Sequence, residues 1–234
     1  MSINPSLASL KVIARIRTQF PEKFGVPRQS GVIEDLKAAI YFEPEYRNRD
    51  AIRGLEGFSH IWLLWGFSDT DRGEWLPTVK PPRLGGNMRM GVFATRSPFR
   101  PNPIGLSCVR LCGIETHPKY DFILQVAGAD LVDNTPIYDI KPYLPFTDCR
   151  PEASGGFADE VRDYGLKVIF PEILLENIPE DLRTPLKAVL THDPRPAYHR
   201  ERSPERVFGV AFAGYNIRFC VEGDTLYVCE VETL

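Results

Sequence analysis

The sequence predicts a mainly β protein in which residues 1–147 fold as a closed barrel or sandwich and residues 165–234 as a smaller α+β domain. Three observations predict it. Apolar runs of strand length recur from Leu10 to Ile140, most of them β-branched or alternating with polar residues. The stretches between them, such as Pro77–Gly86 and Ser97–Pro103, are dense in proline and glycine. The composition then shifts after Phe146, where Cys149, Pro151, Ser154, Gly155 and Gly156 give residues 148–164 the character of a linker.

The elements follow in order. Leu10–Ile16 and Ala38–Phe42 read as short strands. Asp50–Gly57 places Ala51, Ile52 and Leu55 on one side of one or two helical turns. Ser59–Phe67 is almost wholly apolar and too short for a typical helix, which predicts a central strand buried on both faces. Met90–Thr95, Gly105–Ile114, Phe122–Ala127 and Ile137–Ile140 are further strands. Past the linker, Gly165–Phe170 is strand-like. Leu182, Leu186, Val189 and Leu190 have helical spacing, with a helix starting near Pro179 or, because of Pro185, at Thr184. Val207–Val221, Glu222-Gly223-Asp224 and Thr225–Val231 form a hairpin pattern.

Bulk charge narrows the function. The 234 residues carry a net charge of −3, so binding to nucleic acid cannot come from global charge and needs a local patch. The cysteines number five, with no Cys-x-x-Cys, which argues against a disulfide framework and against a zinc site. No stretch reaches the ~18 apolar residues of a membrane span, and the start of the chain lacks a leader-like apolar run. The expected setting is soluble and cytoplasmic, with no metal and no membrane.

Four segments are too polar and too constrained for plain scaffold: Gly25–Gly31, Pro82–Gly91, Ala94–Ser107, and Ala129–Pro136 continuing through Asp139-Ile140-Lys141-Pro142-Tyr143. In the third, Pro98, Pro101 and Pro103 fix the backbone and hold Arg96, Arg100 and Asn102 in set directions, a good receptor for a carboxylate or phosphate. The structural alternative is that Arg96 and Arg100 pair with Asp130 and Asp133. In the fourth, Asp133 can cap an Asx-type turn and Asn134 can take a left-handed backbone. The glycines of the second lack dinucleotide-loop spacing and follow no strand, which excludes a Rossmann site. His60, Trp62 and Trp65 border or occupy an apolar strand and read first as core. A basic cluster of Arg195, His199, Arg200, Arg202 and Arg206 suits phosphate contacts or a solvated loop.

Val26-Pro27-Arg28-Gln29, Gly57-Phe58-Ser59-His60-Ile61-Trp62, the long run Gly91–Ser107 and Asp130-Leu131-Val132-Asp133-Asn134-Thr135-Pro136 together resemble the TsaA-like family, also called YaeB or TrmO. Asp193-Pro194-Arg195-Pro196-Ala197-Tyr198 is similar to the C-terminal domain of its bacterial members, so the resemblance covers nearly the whole chain. Asn134 stands where many members have glycine, and asparagine tolerates the same backbone.

The resemblance implies a closed β-barrel methyltransferase that uses S-adenosylmethionine, acts on N6 of N6-threonylcarbamoyladenosine beside the anticodon of a threonine tRNA, and forms a homodimer. It places the cofactor against Pro27, Arg28, Gln29, His60, Ile61, Arg96, Leu106 and the Asp133, Asn134, Thr135 and Pro136 loop. Methyl transfer from a sulfonium is an in-line displacement, so alignment and exclusion of water matter most. Asp133, Asp139 and Tyr143 are the candidates for acid–base work. Arg100, Asn102, Lys141 and Arg195 are the candidates for substrate contact, the threonyl carboxylate calling for a cation. Two other functions fit the same residues: a small-molecule methyltransferase, and an RNA-binding barrel without catalysis.

Overall fold

The computed structural model describes residues 10–67, 75–81, 88–161, 164–195 and 206–234. It is mainly β. Strands β1 (Ala14–Arg17), β2 (Lys37–Phe42) and β3 (His60–Gly66) are followed by the two-residue pair β4 (Thr78–Val79) and β5 (Met90–Gly91). Then come the long β6 (Ile104–His117), β7 (Asp121–Ala127) and β8 (Pro136–Pro142). Six of these form a ring, β1-β2-β7-β6-β3-β8 and back to β1, with every neighbouring pair antiparallel.

Period-two patterning explains the ring. Ala38, Ile40 and Phe42 of β2 and Ile61, Leu63 and Trp65 of β3 point inward and are buried, while their neighbours face out. They meet Ala14, Ile16, Val109, Phe122, Leu124, Val126, Leu131 and Ile137 in one core. The expectation that β3 is buried on both faces is corrected: Trp62 and Leu64 on its outer side are only half-buried. The apolar character of that outer face therefore needs another explanation than the core. Gly105 is required where β6 pairs with β3 opposite Trp65, because a Cβ there would lie 2.2 Å from the Trp65 indole.

Two further expectations are corrected. Met90–Thr95 is not a strand throughout; after Gly91 it coils into a 3-10 turn, Val92–Ala94, closed by the Thr95 N–H on the Val92 carbonyl. Val207–Val221 is two strands, β10 (Phe208–Phe212) and β11 (Tyr215–Glu222). Between them Ala213 and Gly214 both take positive φ, +50° and +84°, the backbone of a two-residue hairpin turn. Alanine at such a position gives no warning in the sequence.

The short helix α1 (Pro145–Asp148) leads into the connecting segment, and β9 (Lys167–Ile169), α2 (Glu172–Leu175), α3 (Glu180–Thr191) and β12 (Thr225–Thr233) complete the chain with β10 and β11. The second sheet runs β10-β11-β12-β9, with β9 parallel to β12. α3 starts at Glu180 and keeps Pro185 in its interior; Leu186, Val189 and Leu190 are buried against the sheet. Acidic Glu180 and Asp181 in its first turn suit the helix dipole.

The second core also contains Phe20, Ile33 and Leu36, which come from the β1–β2 loop. Gly25 marks the contact: its φ is +93°, and a Cβ there would meet Val210 at 2.3 Å. Among the described residues no helix is long and apolar enough to cross a membrane.

Candidate functional site

The antiparallel ring puts the ends of β1, β3 and β7 and the starts of β2, β6 and β8 at one end. The three loops that leave this end are 18–36, 67–103 and 128–135. Three of the four polar segments, Gly25–Gly31, Ala94–Ser107 and Ala129–Pro136, are carried on these loops or begin there, although they are scattered over more than a hundred positions of the chain; of the second segment, residues 82–87 lie outside the described residues.

Between Gly105 and Ala127 the two strands β6 and β7 pair only from Arg110 onward. The edge of β6 that this leaves is occupied by loop residues. The Ser30 hydroxyl accepts the Cys108 N–H at 3.1 Å. Asp130 receives the hydroxyl of wholly buried Ser107 at 2.5 Å, and Ser107 in turn accepts the Trp65 indole N–H at 2.9 Å. Burial raises the Asp130 pKa, against the pull of Ser107 and of nearby Arg96. Arg96 donates to the Gln29 side-chain carbonyl, tying the 27–30 loop to the arginine loop. Arg28 reaches the Arg195 carbonyl at 3.4 Å, and Pro27 is buried beside it.

Arg100 does not pair with an acid. Its Nη1 donates to the Thr95 and Ser97 carbonyls of its own loop at 3.1 and 3.5 Å, and among the described residues the other two nitrogens have no protein partner. Asn102 is exposed, with its carbonyl accepting the Ile104 N–H. The proline-stiffened loop thus aims Arg100 by its backbone and leaves most of the guanidinium for something else.

The 128–135 loop divides its tasks. Asp130 faces β6, but Asp133 turns the other way: it accepts the Thr18 N–H at 3.0 Å and pairs with Arg17 at 2.9 Å. Asn134 has φ +63°, its N–H bonds Ile16 and its carbonyl accepts Arg15. Thr135 is buried and closes on Val132 at 2.7 Å, and Pro136 opens β8 opposite Arg15. The turn is as its sequence suggests, and its side chains hold β1.

Register lays out the outer face of β8, β3 and β6. Asp139, Leu64 and Leu106 stand in one row; Lys141, Trp62 and Cys108 in the next; His60 and Arg110 follow. Leu106 is 52% exposed. Asp139 pairs with Lys141 at 2.8 Å. Trp62 donates its indole N–H to Asp148 at 2.9 Å, and Asp148 also accepts the Leu144 N–H. These two bonds hold the Asp148 pKa below its ordinary value. Tyr143 packs near Trp62 and His60, its N–H on the His60 carbonyl. Loss of solvent around the phenol, aided by Cys149, Cys108 and Asp148, raises its pKa, so at neutral pH it is a donor and not a phenolate base. The His60 Nδ1 lies 3.0 Å from the Ser59 hydroxyl, and Ile61 points wholly into the core, so only its backbone faces this strip.

Arg195 lies elsewhere in chemistry as well as in sequence. It is 5% exposed and forms a two-pronged pair with buried Asp193 at 2.9 and 3.1 Å, with Tyr164 donating to the same acid. Here it is a structural cation and not a phosphate contact, because its charge is already neutralised out of water. Of its proposed basic neighbours, His199, Arg200 and Arg202 lie outside the described residues, and Arg206 rests over Phe208. Sequence reasoning named Asp130 only as a pairing option and passed over Ser30 and Ser107; a buried serine inside a motif carries no signal of its own. Among the described residues no group of three or more metal-ligating side chains is gathered.

Comparison with known proteins identifies the family. A family model described as the tRNA-methyltransferase O N-terminal domain matches residues 15–149, and one described as the TrmO C-terminal domain matches residues 163–234. The chain is 44% identical over 215 residues to the tRNA (adenine(37)-N6)-methyltransferase of Escherichia coli K12, covering 89% of this chain and 91% of that one. It is 40% identical to a putative S-adenosylmethionine-dependent methyltransferase of Pseudomonas aeruginosa, covering 86% and 87%. A crystal structure of TrmO from Pseudomonas aeruginosa superposes with a TM-score of 0.75 at 31% identity, over 96% of this chain and 98% of that one. With both its halves matched and relatives this similar along nearly its whole length, the chain belongs to the tRNA-methyltransferase O family.

Proposed function

We propose that the protein is an S-adenosylmethionine-dependent tRNA methyltransferase. It methylates N6 of N6-threonylcarbamoyladenosine beside the anticodon, in the cytoplasm, as a homodimer built on a closed barrel of residues 1–147, with residues 148–164 as a linker and residues 165–234 as a second domain. The observation that carries this reading is the outer strip of β8, β3 and β6, where an apolar floor lies between a proline-fixed arginine loop and a carboxylate.

The residues fit the cofactor. Leu106, Leu64 and Trp62 offer an apolar surface to a flat base, and Gln29 and Arg96 offer polar groups at its edge. Pro27 and Arg28 shape the loop above, the backbone of His60 and Ile61 closes the far side, and Asp133, Asn134, Thr135 and Pro136 fix the loop end. When bound, this group supplies a methyl on a positively charged sulfur. The chain has to hold the acceptor nitrogen in line, keep water out and take up the one proton released. Among the three acid–base candidates, Tyr143 keeps its proton, and Asp133 and Asp139 each accept one backbone N–H and pair with one cation, Arg17 and Lys141 respectively. Asp139 is assigned as proton acceptor because it, and not Asp133, stands in the Leu64–Leu106 row of the strip. Arg100 and Asn102 receive the threonyl carboxylate.

Mass analysis of nucleosides from threonine tRNA tests this. Cells lacking the protein should carry the threonylcarbamoyl nucleoside without the extra methyl, and the purified protein with S-adenosylmethionine should restore it. An unchanged nucleoside profile together with no transfer in vitro rejects the assignment.

A further inference from the structure

We propose that Trp75 and Phe93 form a stacking platform for unpaired bases of the RNA that flank the reacting nucleoside; this rests on the tRNA reading above. Three observations point there. Trp75 is 49% exposed and Phe93 73% exposed, and their rings lie 20° from parallel with centroids 6.3 Å apart. Large aromatic side chains are expensive to leave in water, and this pair is not in either core. Near-parallel, offset rings present two adjoining flat faces of similar tilt, on which an unpaired base can lie.

The platform is physically joined to the candidate site. The Leu76 N–H bonds the Phe99 carbonyl inside the arginine loop, and the Val92 N–H bonds the Pro77 carbonyl. β4 and β5 then pair Thr78 with Gly91, and Arg89 donates to the Thr78 hydroxyl. Phe93 and Trp75 are thereby fixed next to the segment that aims Arg100.

Charge says what covers them. Asp69, Asp71 and Glu74 precede Trp75 in the sequence, but from Trp75 to Ile114 it holds Lys80, Arg83, Arg89, Arg96, Arg100 and Arg110 and no Asp or Glu, in a protein whose net charge is −3. An apolar pair joined to the acid-free cationic run around Phe93 matches a polyanion that also presents flat rings, which is single-stranded RNA. A second copy of this chain, itself acidic overall, would bring the same cations against one another if it docked face to face here.

The test uses the full-length protein, an anticodon stem-loop RNA and a perfect RNA duplex of equal length. Trp75→Ala/Phe93→Ala should weaken stem-loop binding about ten-fold or more while leaving the salt dependence of binding unchanged, because stacking releases no counterions. Phe93→Trp should keep wild-type affinity, and duplex binding should not respond to any of these changes. S-adenosylmethionine affinity by calorimetry and molar mass by light scattering should stay at wild-type values, which also shows that the variants fold. Equal stem-loop affinity of wild type and double variant overturns the platform alone. A shift in molar mass overturns it in favour of an interface between copies of the chain. A wild-type protein that binds no stem-loop overturns the tRNA reading and the platform with it.

Discussion

Two arginine–proline segments of this chain look alike in sequence and meet opposite fates. Arg96-Ser-Pro-Phe-Arg100-Pro-Asn-Pro presents its guanidinium groups at the surface, while in Asp193-Pro-Arg195-Pro the guanidinium is 5% exposed and locked to Asp193. The difference is one acid. Asp193 sits two residues before Arg195 with φ +53°, so its carboxylate folds back within reach of both the Arg195 N–H and the side chain. Arg96 and Arg100 have no acid in their own segment and turn to an amide and to backbone carbonyls, which orient a cation without neutralising it. An arginine next to proline is therefore a receptor or a strut according to whether a local carboxylate reaches it first.

The comparison breaks most sharply on stability. Arg195→Met should cost about 3–5 kcal/mol, because wholly buried Asp193 would lose its charge partner. Arg96→Met should stay within about 0.5 kcal/mol of wild type. Urea unfolding of both variants checks this; adding Asp193→Asn to Arg195→Met should restore most of the loss. Equal losses at the two arginines would erase the distinction.

Turnover should show the reverse. Arg100→Ala should lower turnover on threonylcarbamoylated tRNA by about a hundred-fold with cofactor affinity near wild type, since an unpaired substrate carboxylate in the site costs a few kcal/mol. Arg96→Ala should weaken cofactor binding instead. Single-turnover kinetics and calorimetry separate the two, and Arg100→Ala with full turnover or with lost cofactor affinity contradicts the division.

A smaller effect concerns Asp130, the acid that does lie near Arg96. Its pKa is raised by burial, so the folded state holds its proton more tightly than the unfolded state. The sign follows: the cost of burying this carboxylate is absent below the unfolded pKa, grows as pH rises through the raised value, and is complete above it. Asp130→Asn, which can still accept from Ser107, should match wild type at acid pH and gain on it as pH rises. Thermal melting of both proteins across that range shows whether the gap opens.

The smallest change is expected at Arg17, whose pair with Asp133 is half in solvent. Arg17→Ala should cost under about 1 kcal/mol in chemical denaturation. A larger loss would put this pair with Asp193 and Arg195 rather than with the surface.

The strands were legible because they alternate. β3 is the exception, because Trp62 and Leu64 are as apolar as Ile61, Leu63 and Trp65, so only the closed ring showed which way it faces; Asn134 announces its left-handed turn by its own side chain. The Ala213–Gly214 turn and the coiling of Val92–Ala94 were not legible, since the Ala213 N–H bonds the Gln19 carbonyl and the Val92 N–H the Pro77 carbonyl, partners distant in sequence that override local preference; at Pro185 the sequence left two helix starts open, and the helix takes the earlier one.

By itself the sequence determined the mainly β class, the four polar segments and the stiffness of the arginine loop, because these depend on patterns and on backbone restrictions within a few residues. Only the tertiary structure decided that three loops meet at one end of the ring, and that Asp139, Leu64 and Leu106 share a row. It also decided that Asp133 and Arg195 are held by other residues while Arg100 is not. A charged side chain's role depends on which partner reaches it, and the pairings of Asp133 with Arg17 and of Leu106 with Leu64 join residues that the chain itself keeps far apart.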